Sequence, residues 1–362
     1  MKSMPRRWCA GVLGVLLAAG SASGQSSQPA GGELFRPPVP LTGRLSYSFH
    51  HPVAVDWNGD RVYDLLVGHH TEGWARALVY LNIGTNSQPQ FDDQPAQFLQ
   101  VKGQAWAVFC GCRLTGSSLL QIVDWNQDGK FDILVNGSIG DVELLLNTSS
   151  DRHSPAFDEV VKLPIYWRGK SRYAMFGYWD DDEVMDYGLT SARLANKGFR
   201  GFRIWKGLRN DGQMAFSEEP VYASPEFADD ALYIGGRTAV AWDWRGDGYE
   251  PGKVEFIAAG PELNKEKEIL LMEFDPADEQ QPIKKLASIM PVPTEPTRLF
   301  AVALSACDFN RDGCMDLLLG YGGKYQQIDI MYGKVANAYS LPKPSDNSQS
   351  GHASPGAGTS DQ

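Results

Sequence analysis

Beyond residue 33 the chain alternates short apolar runs with turns rich in Gly, Pro, Asn and Asp. Runs of this length between turn formers predict strands, and no helical period is visible after residue 20. One order of events recurs. An acidic loop leads at once into an apolar run, such as DLLVG from Asp64, ILVNG from Ile133 and LLLGY from Leu317. A turn and a second apolar run follow, as in ALVYLN from Ala77, VELLLN from Val142 and FRIW from Phe202. A weaker extended segment closes the unit, as in AQFLQVKG and EVVKLPIYW. The loops begin at Asp56, Asp124, Tyr178, Asp243 and Asp308. A long, nearly fixed period means one supersecondary unit copied and stacked, and four short strands per unit is the arithmetic of a β-propeller blade. The predicted fold is all-β, a propeller of five blades with four antiparallel strands each. The last repeat stops at IDIMYGKVANAYSLP without a fourth strand, and ELFRPPVPLTG from Glu33 resembles the missing one. The ring is therefore predicted to close on an N-terminal strand, which removes exposed sheet edges.

The loops carry the candidate chemistry. Oxygen side chains stand at loop positions 1, 3, 5 and 9: Asp56, Asn58, Asp60 and Asp64; Asp124, Asn126, Asp128 and Asp132; Asp308, Asn310, Asp312 and Asp316. Position 6 is Gly129 or Gly313 in the second and fifth loops and Arg61 in the first. Anionic oxygens converging on a tight turn repel one another unless a cation lies between them. Calcium suits such a set because it takes six to eight oxygens in flexible geometry. The carbonyls of Lys130 and Cys314, at position 7, would add backbone ligands. The third loop has Tyr178 at position 1 but keeps Asp180, Asp182 and Asp186. The fourth has Arg245 at position 3 and an insertion before Glu255, and is expected to hold Arg245 as an internal cation instead of calcium. About three calcium sites are expected, since one ion per favourable loop matches the ligand count.

An EF-hand is excluded, because position 12 is Val135 or Leu319 where Glu is required and a strand follows where a helix should. The loops, the DLLVG-like strand and the turn LNIGTNSQPQF together resemble FG-GAP/VCBS repeats, the integrin-type calcium-binding propeller blades. The resemblance spans about residues 34 to 335. It implies a calcium-binding propeller and leaves the activity open, since related blades occur in adhesins, lectins and polysaccharide lyases. Five repeats depart from the seven usual in the integrin type.

The domain organisation follows from the ends. Lys2, Arg6 and Arg7 precede the apolar CAGVLGVLLAAG and then small residues, which reads as a signal peptide over 1–24. Residues 25–33 form a short linker, 34–340 the propeller, and the polar, small-residue segment 341–362 a disordered tail. The chain is expected to be secreted or periplasmic and not membrane-spanning. A formal net charge of −11 argues against nucleic acid as a partner. Export permits disulfides, and Cys307 and Cys314 flank a loop they could staple; Cys110 and Cys112 leave other pairings open.

Residues that break the repeat are the candidates for binding. His50, Arg172 and Arg237 stand at equivalent places near the entry of the first strand of their repeats, with His51 and Tyr173 one step later. On a ring such positions face one axis. His69 and His70 follow the first loop strand, while Trp106, Trp167 and Arg168 lie just ahead of the second and third repeats. These residues would make a basic, aromatic pocket suited to carboxylate or sulfate groups and sugar faces. Trp57, Trp125, Trp179, Trp244 and Phe309, at loop position 2, read instead as blade packing. The sequence is thus read as a non-catalytic recognition module for polysaccharide or an extracellular surface protein, and nothing in it demands catalysis. The alternative is a polysaccharide lyase acting on uronic acid polymers by β-elimination. There His50 or His70 would be the base, Tyr173 the acid, and Arg172 or Arg237 the neutraliser of the uronate.

Overall fold

The structure, a computed structural model, describes residues 34–45, 51–71, 74–109, 119–136, 142–151, 153–163, 172–177, 184–191, 202–210, 213–223, 238–241, 244–245, 253–259, 268–275, 277–278, 283–291, 302–321 and 326–335. Strand β1 (Val39–Pro40) opens the chain. Blade I contains β2 (His51–Val55), β3 (Asp64–Thr71), β4 (Trp74–Tyr80) and β5 (Gln97–Phe98) in that spatial order. A small hairpin follows, β6 (Gln100–Val101) with β7 (Gln104–Ala105), and then β8 (Ala107–Phe109), which returns to pair with β4. Blade II runs β9 (Leu119–Val123), β10 (Asp132–Asn136), β11 (Val142–Asn147) and β12 (Phe157–Lys162). Blade III has β13 (Arg172–Gly177), β14 (Asp186–Ser191) and β15 (Phe202–Trp205); a hairpin of β16 (Gly207–Asn210) and β17 (Gln213–Phe216) precedes its outer strand β18 (Tyr222–Ala223). Blade IV runs β19 (Thr238–Ala241), β20 (Val254–Ala259), β21 (Glu268–Phe274) and β22 (Ile283–Pro291). Blade V runs β23 (Val302–Cys307), β24 (Asp316–Tyr321) and β25 (Ile328–Met331), and its outer strand is β1.

The protein is therefore a five-bladed β-propeller closed by its N-terminal strand. Val39 pairs with Ile330 and Pro40 with Asp329. The Arg36 amide donates to the Tyr332 carbonyl, the Lys334 amide to Leu34, and the Leu41 amide to Ile328. Pro at this outer edge costs nothing, since its missing N–H faces away from the ladder. All strand pairs are antiparallel, as the alternation of apolar runs and tight turns requires.

The core lies between blades. Among the described residues, loop-position-2 aromatics reach across seams: Trp57 packs on Phe131 and Phe157 of blade II, Trp125 on Phe216 in blade III's β17, and Phe309 of blade V on Tyr63 of blade I, while Trp179 lies outside the described residues. Trp244 of blade IV meets Phe35 of the N-terminal segment. Both faces of β24, DLLLGY, are buried, which is why the strand reads as a continuous apolar run and not an alternation. Residues 1–33, where a signal peptide and linker were expected, and 336–362, which include the expected tail, lie outside the described residues. Among those described, no helix is long and apolar enough to cross a membrane.

Candidate metal loops and the blade seams

Loops I, II and V each join the innermost strand of their blade to the next and are built from Asx turns. In blade II, Asp124 accepts hydrogen bonds from the amides of Asp128 and Gly129 at 3.0 and 3.1 Å, Asn126 from Asp128 at 3.2 Å, and Asp128 from the Lys130 amide at 2.9 Å. Blade V repeats this with Asp308, Asn310, Asp312, Gly313 and Cys314. Two positions per loop have positive φ. Position 4 is Gly59, Gln127 or Arg311, and position 6 is Arg61, Gly129 or Gly313. In blade I the glycine is at the fourth place, so Arg61 carries the left-handed strain at φ 71°.

Position 9 has a structural task that the spacing did not reveal. Asp64, Asp132 and Asp316 are fully buried, and each uses one oxygen for the loop-position-2 amide and the other for an amide just after the third strand. Those second donors are Asn82, Asn147 and Gly333. Asp186 does the same toward Gly207 in blade III. Burial pushes the Asp64, Asp132 and Asp316 carboxyls up to about 6, against the lowering effect of these amides, and the neighbouring loop carboxylates add to the rise.

Positions 1, 3 and 5 retain acceptor capacity. Asp56 Oδ2 takes the Arg61 amide, whereas Asp56 Oδ1 is buried without a hydrogen-bond partner. A buried acceptor left in this way is costly unless something supplies positive charge. In blade II the Lys130 ammonium lies 2.9 Å from Asp128 and also donates to the Ser149 carbonyl at 3.1 Å. Among the described residues, no three His, Cys, Asp or Glu side chains are gathered as a ready-made metal cluster. In blade IV the guanidinium of Arg245 pairs with Glu255 and lies 3.8 Å from Glu273, so an internal cation does occupy that loop. Asp180 and Asp182 of the third loop lie outside the described residues. Cys307 and Cys314 are free thiols, so of the pairings the sequence left open the one across loop V is not formed. Burial raises the Cys307 thiol well above its ordinary range.

Of the residues expected in the channel-mouth pocket, His51, His69 and Trp106 are described with their side chains and all three are buried. His51 opens β2, but its side chain is 2% exposed and is spent inside the ring. Its Nδ1 accepts the Leu120 amide of blade II at 3.0 Å, and it makes a further hydrogen bond to the Leu304 backbone of blade V. Burial lowers its pKa to about 4, so it is a neutral core histidine joining three blades. His69 on β3 and Trp106 are buried as well, the latter in the seam between blades I and II. Innermost strands are flanked closely by their neighbours, so side chains there serve packing and stray backbone amides before any ligand. His70, Arg172 and Tyr173 are on β3 and β13. His50, Trp167, Arg168 and Arg237 lie outside the described residues.

No protein-family model and no curated protein matches the chain. Among solved structures, it is similar to a thermostable family-43 glycoside hydrolase, at 13% identity and a TM-score of 0.47 over 85% of this chain and 100% of that one. It is also similar to the catalytic domain of the Coprinopsis cinerea GH62 α-L-arabinofuranosidase, at 9% identity and 0.44 over 84% and 98%. A Cellvibrio cellulosa α-L-arabinanase mutant follows at 14% and 0.42, over 79% and 92%. These comparisons correct the functional expectation. The solved structures named here carry the names of glycoside hydrolases, neither recognition modules nor lyases, which runs against the expected non-catalytic module and the β-eliminating lyase alike. At such identities the likeness speaks to architecture only.

Proposed function

We propose that this chain is a calcium-binding propeller of the FG-GAP/VCBS kind, exported from the cell, in which loops I, II and V hold the ions. The observation that carries the reading is Asp56 Oδ1, a buried carboxylate oxygen with no hydrogen-bond partner in a loop whose Asn58 and Asp60 oxygens each accept an amide of the same turn. Asp56, Asn58 and Asp60 would hold the ion in loop I, Asp124, Asn126 and Asp128 in loop II, and Asp308, Asn310 and Asp312 in loop V. Carbonyls at position 7 and water would complete the shell. When bound, calcium would offset the mutual repulsion of the loop carboxylates. The buried position-9 carboxylates would hold each loop on its blade.

Thermal melting tests this. Ligand that binds only the folded state stabilises it by about 2.7 kcal/mol at a hundredfold excess over Kd. Chelation should lower Tm and added calcium should restore it. Asp128→Ala or Asp312→Ala should each remove part of that response. A melt indifferent to calcium and chelator would overturn the reading.

The neighbours' names raise glycan hydrolysis as an activity to assay. Cleaving a glycosidic bond ordinarily takes two carboxyl groups flanking it. The innermost strands, HPVAV, LLQIV, RYAMFG, TAVA and VALSAC, contain no Asp or Glu. Such a pair would have to stand elsewhere than on these strands. Release of reducing sugar from an arabinan, with and without calcium, decides whether the ring also carries that chemistry.

A further inference from the structure

The turn after β11, residues 147 to 156, touches two candidate calcium loops at once. Within its own blade, the Ser149 carbonyl accepts the Lys130 ammonium, which is also paired with Asp128 of loop II. Across the seam, the His153 ring bonds through Nδ1 to the Asn58 carbonyl of loop I at 2.7 Å. A carbonyl can only accept, so Nδ1 is the donor. Hydrogen bonds tie the described residues of the turn to one another. The Asp151 amide donates to Ser149 Oγ, Ser149 Oγ donates to the Asp151 carbonyl, the His153 amide donates to Asp151 Oδ1, and Asn147 Oδ1 accepts the amides of Ser149 and Ala156. Displacement of one end therefore moves the other.

We infer that calcium binding at loops I and II is cooperative, and that His153 is the positioning residue that couples them. The inference rests on the calcium reading above. An ion in loop I fixes the Asn58 backbone and so holds His153 and its turn. Lys130 is shared between Asp128 and the Ser149 carbonyl, so a turn held in place keeps an acceptor for the ammonium when the Asp128 carboxylate turns to an ion in loop II. The ordering cost of the shared turn is met once, which is positive coupling without any wide rearrangement.

The test is calorimetric calcium titration of the full mature chain in an Asp312→Ala background, which removes loop V. Coupling through two hydrogen bonds should fall at the low end of the usual range, about fivefold. Asp60→Ala, which disables loop I, should weaken loop II by about that factor. With His153→Ala already present, Asp60→Ala should leave loop II unchanged. His153→Gln, which keeps a side-chain donor, should recover part of the coupling. Two filled sites with no coupling in the parent, or coupling that survives His153→Ala, overturn the inference while leaving the calcium reading intact. No heat of binding at either loop overturns the calcium reading itself.

Discussion

His51 shows how a residue that looks chemical from the sequence becomes structural on a ring. It is buried between three innermost strands and held neutral by that burial. The unfolded chain binds its proton near 6.5, whereas the folded chain resists protonation until about 4. A depressed folded pKa means stability that is complete above 6.5 and lost as pH falls toward 4. The loss is about 3 kcal/mol at one pKa unit per 1.4 kcal/mol. His51→Gln keeps a donor and an acceptor but does not titrate. The difference in unfolding free energy between parent and variant should therefore narrow or reverse in the variant's favour between pH 6.5 and 4, as read by urea denaturation at each pH. A constant difference would contradict the burial argument. Arg61 offers a second residue-scale test. It holds a left-handed conformation where the other two loops have glycine. Arg61→Gly should stabilise the protein by up to about 1 kcal/mol if relief of strain outweighs the added freedom of the unfolded chain.

At the scale of the loop and its blade, blade IV departs from the others. Where loops I, II and V place Asn at position 3 and loop III has Asp180, it has Arg245, whose amide and guanidinium both engage Glu255. Arg245→Ala would take the guanidinium away from Glu255 and Glu273 in a shielded place, and breaking a buried pair in this way costs about 3–5 kcal/mol. Calcium should not restore the lost Tm, because the loop holds a different carboxylate arrangement; restoration would mean the loop accepts a metal after all. That loop was legible in the sequence because Arg245 broke a repeated position. The strand pattern and the loop-position-2 aromatics were legible for the same reason, since five copies average out local ambiguity. The dual task of Asp64, Asp132 and Asp316 was not, because a ligand-like spacing does not say which amides a carboxylate meets. The fates of His51, His69 and Trp106 were also hidden. Position on a strand gives a face, but only the neighbouring blade decides whether that face is a channel or a seam. The contact between His153 and Asn58 joins residues 95 apart in sequence and leaves no local signal.

For the whole molecule, closure rests on one segment used twice. Leu34 and Phe35 are buried in the seam between blades IV and V, and Leu41 and Leu45 in the seam between blades V and I. Residues 34–45 are thus the outer strand of blade V and a wedge on both of its sides. Without them β25 would offer an unpaired edge, a template for another chain. Deleting residues 25–45 from the mature protein should lower Tm sharply and shift the species on size exclusion toward dimers and larger assemblies. A synthetic peptide of residues 33–45 should partly reverse both effects by adding its strand in trans. Leu45→Ala is the milder form of the same test. It removes a side chain 1% exposed and should cost about 2–5 kcal/mol while leaving the main-chain pairing in place. The ring would then stay monomeric but melt earlier, separating loss of packing from loss of the edge strand. A deleted chain that remains monomeric and melts with the parent would mean that blade V stands on three strands and that the N-terminal segment is not what closes the propeller.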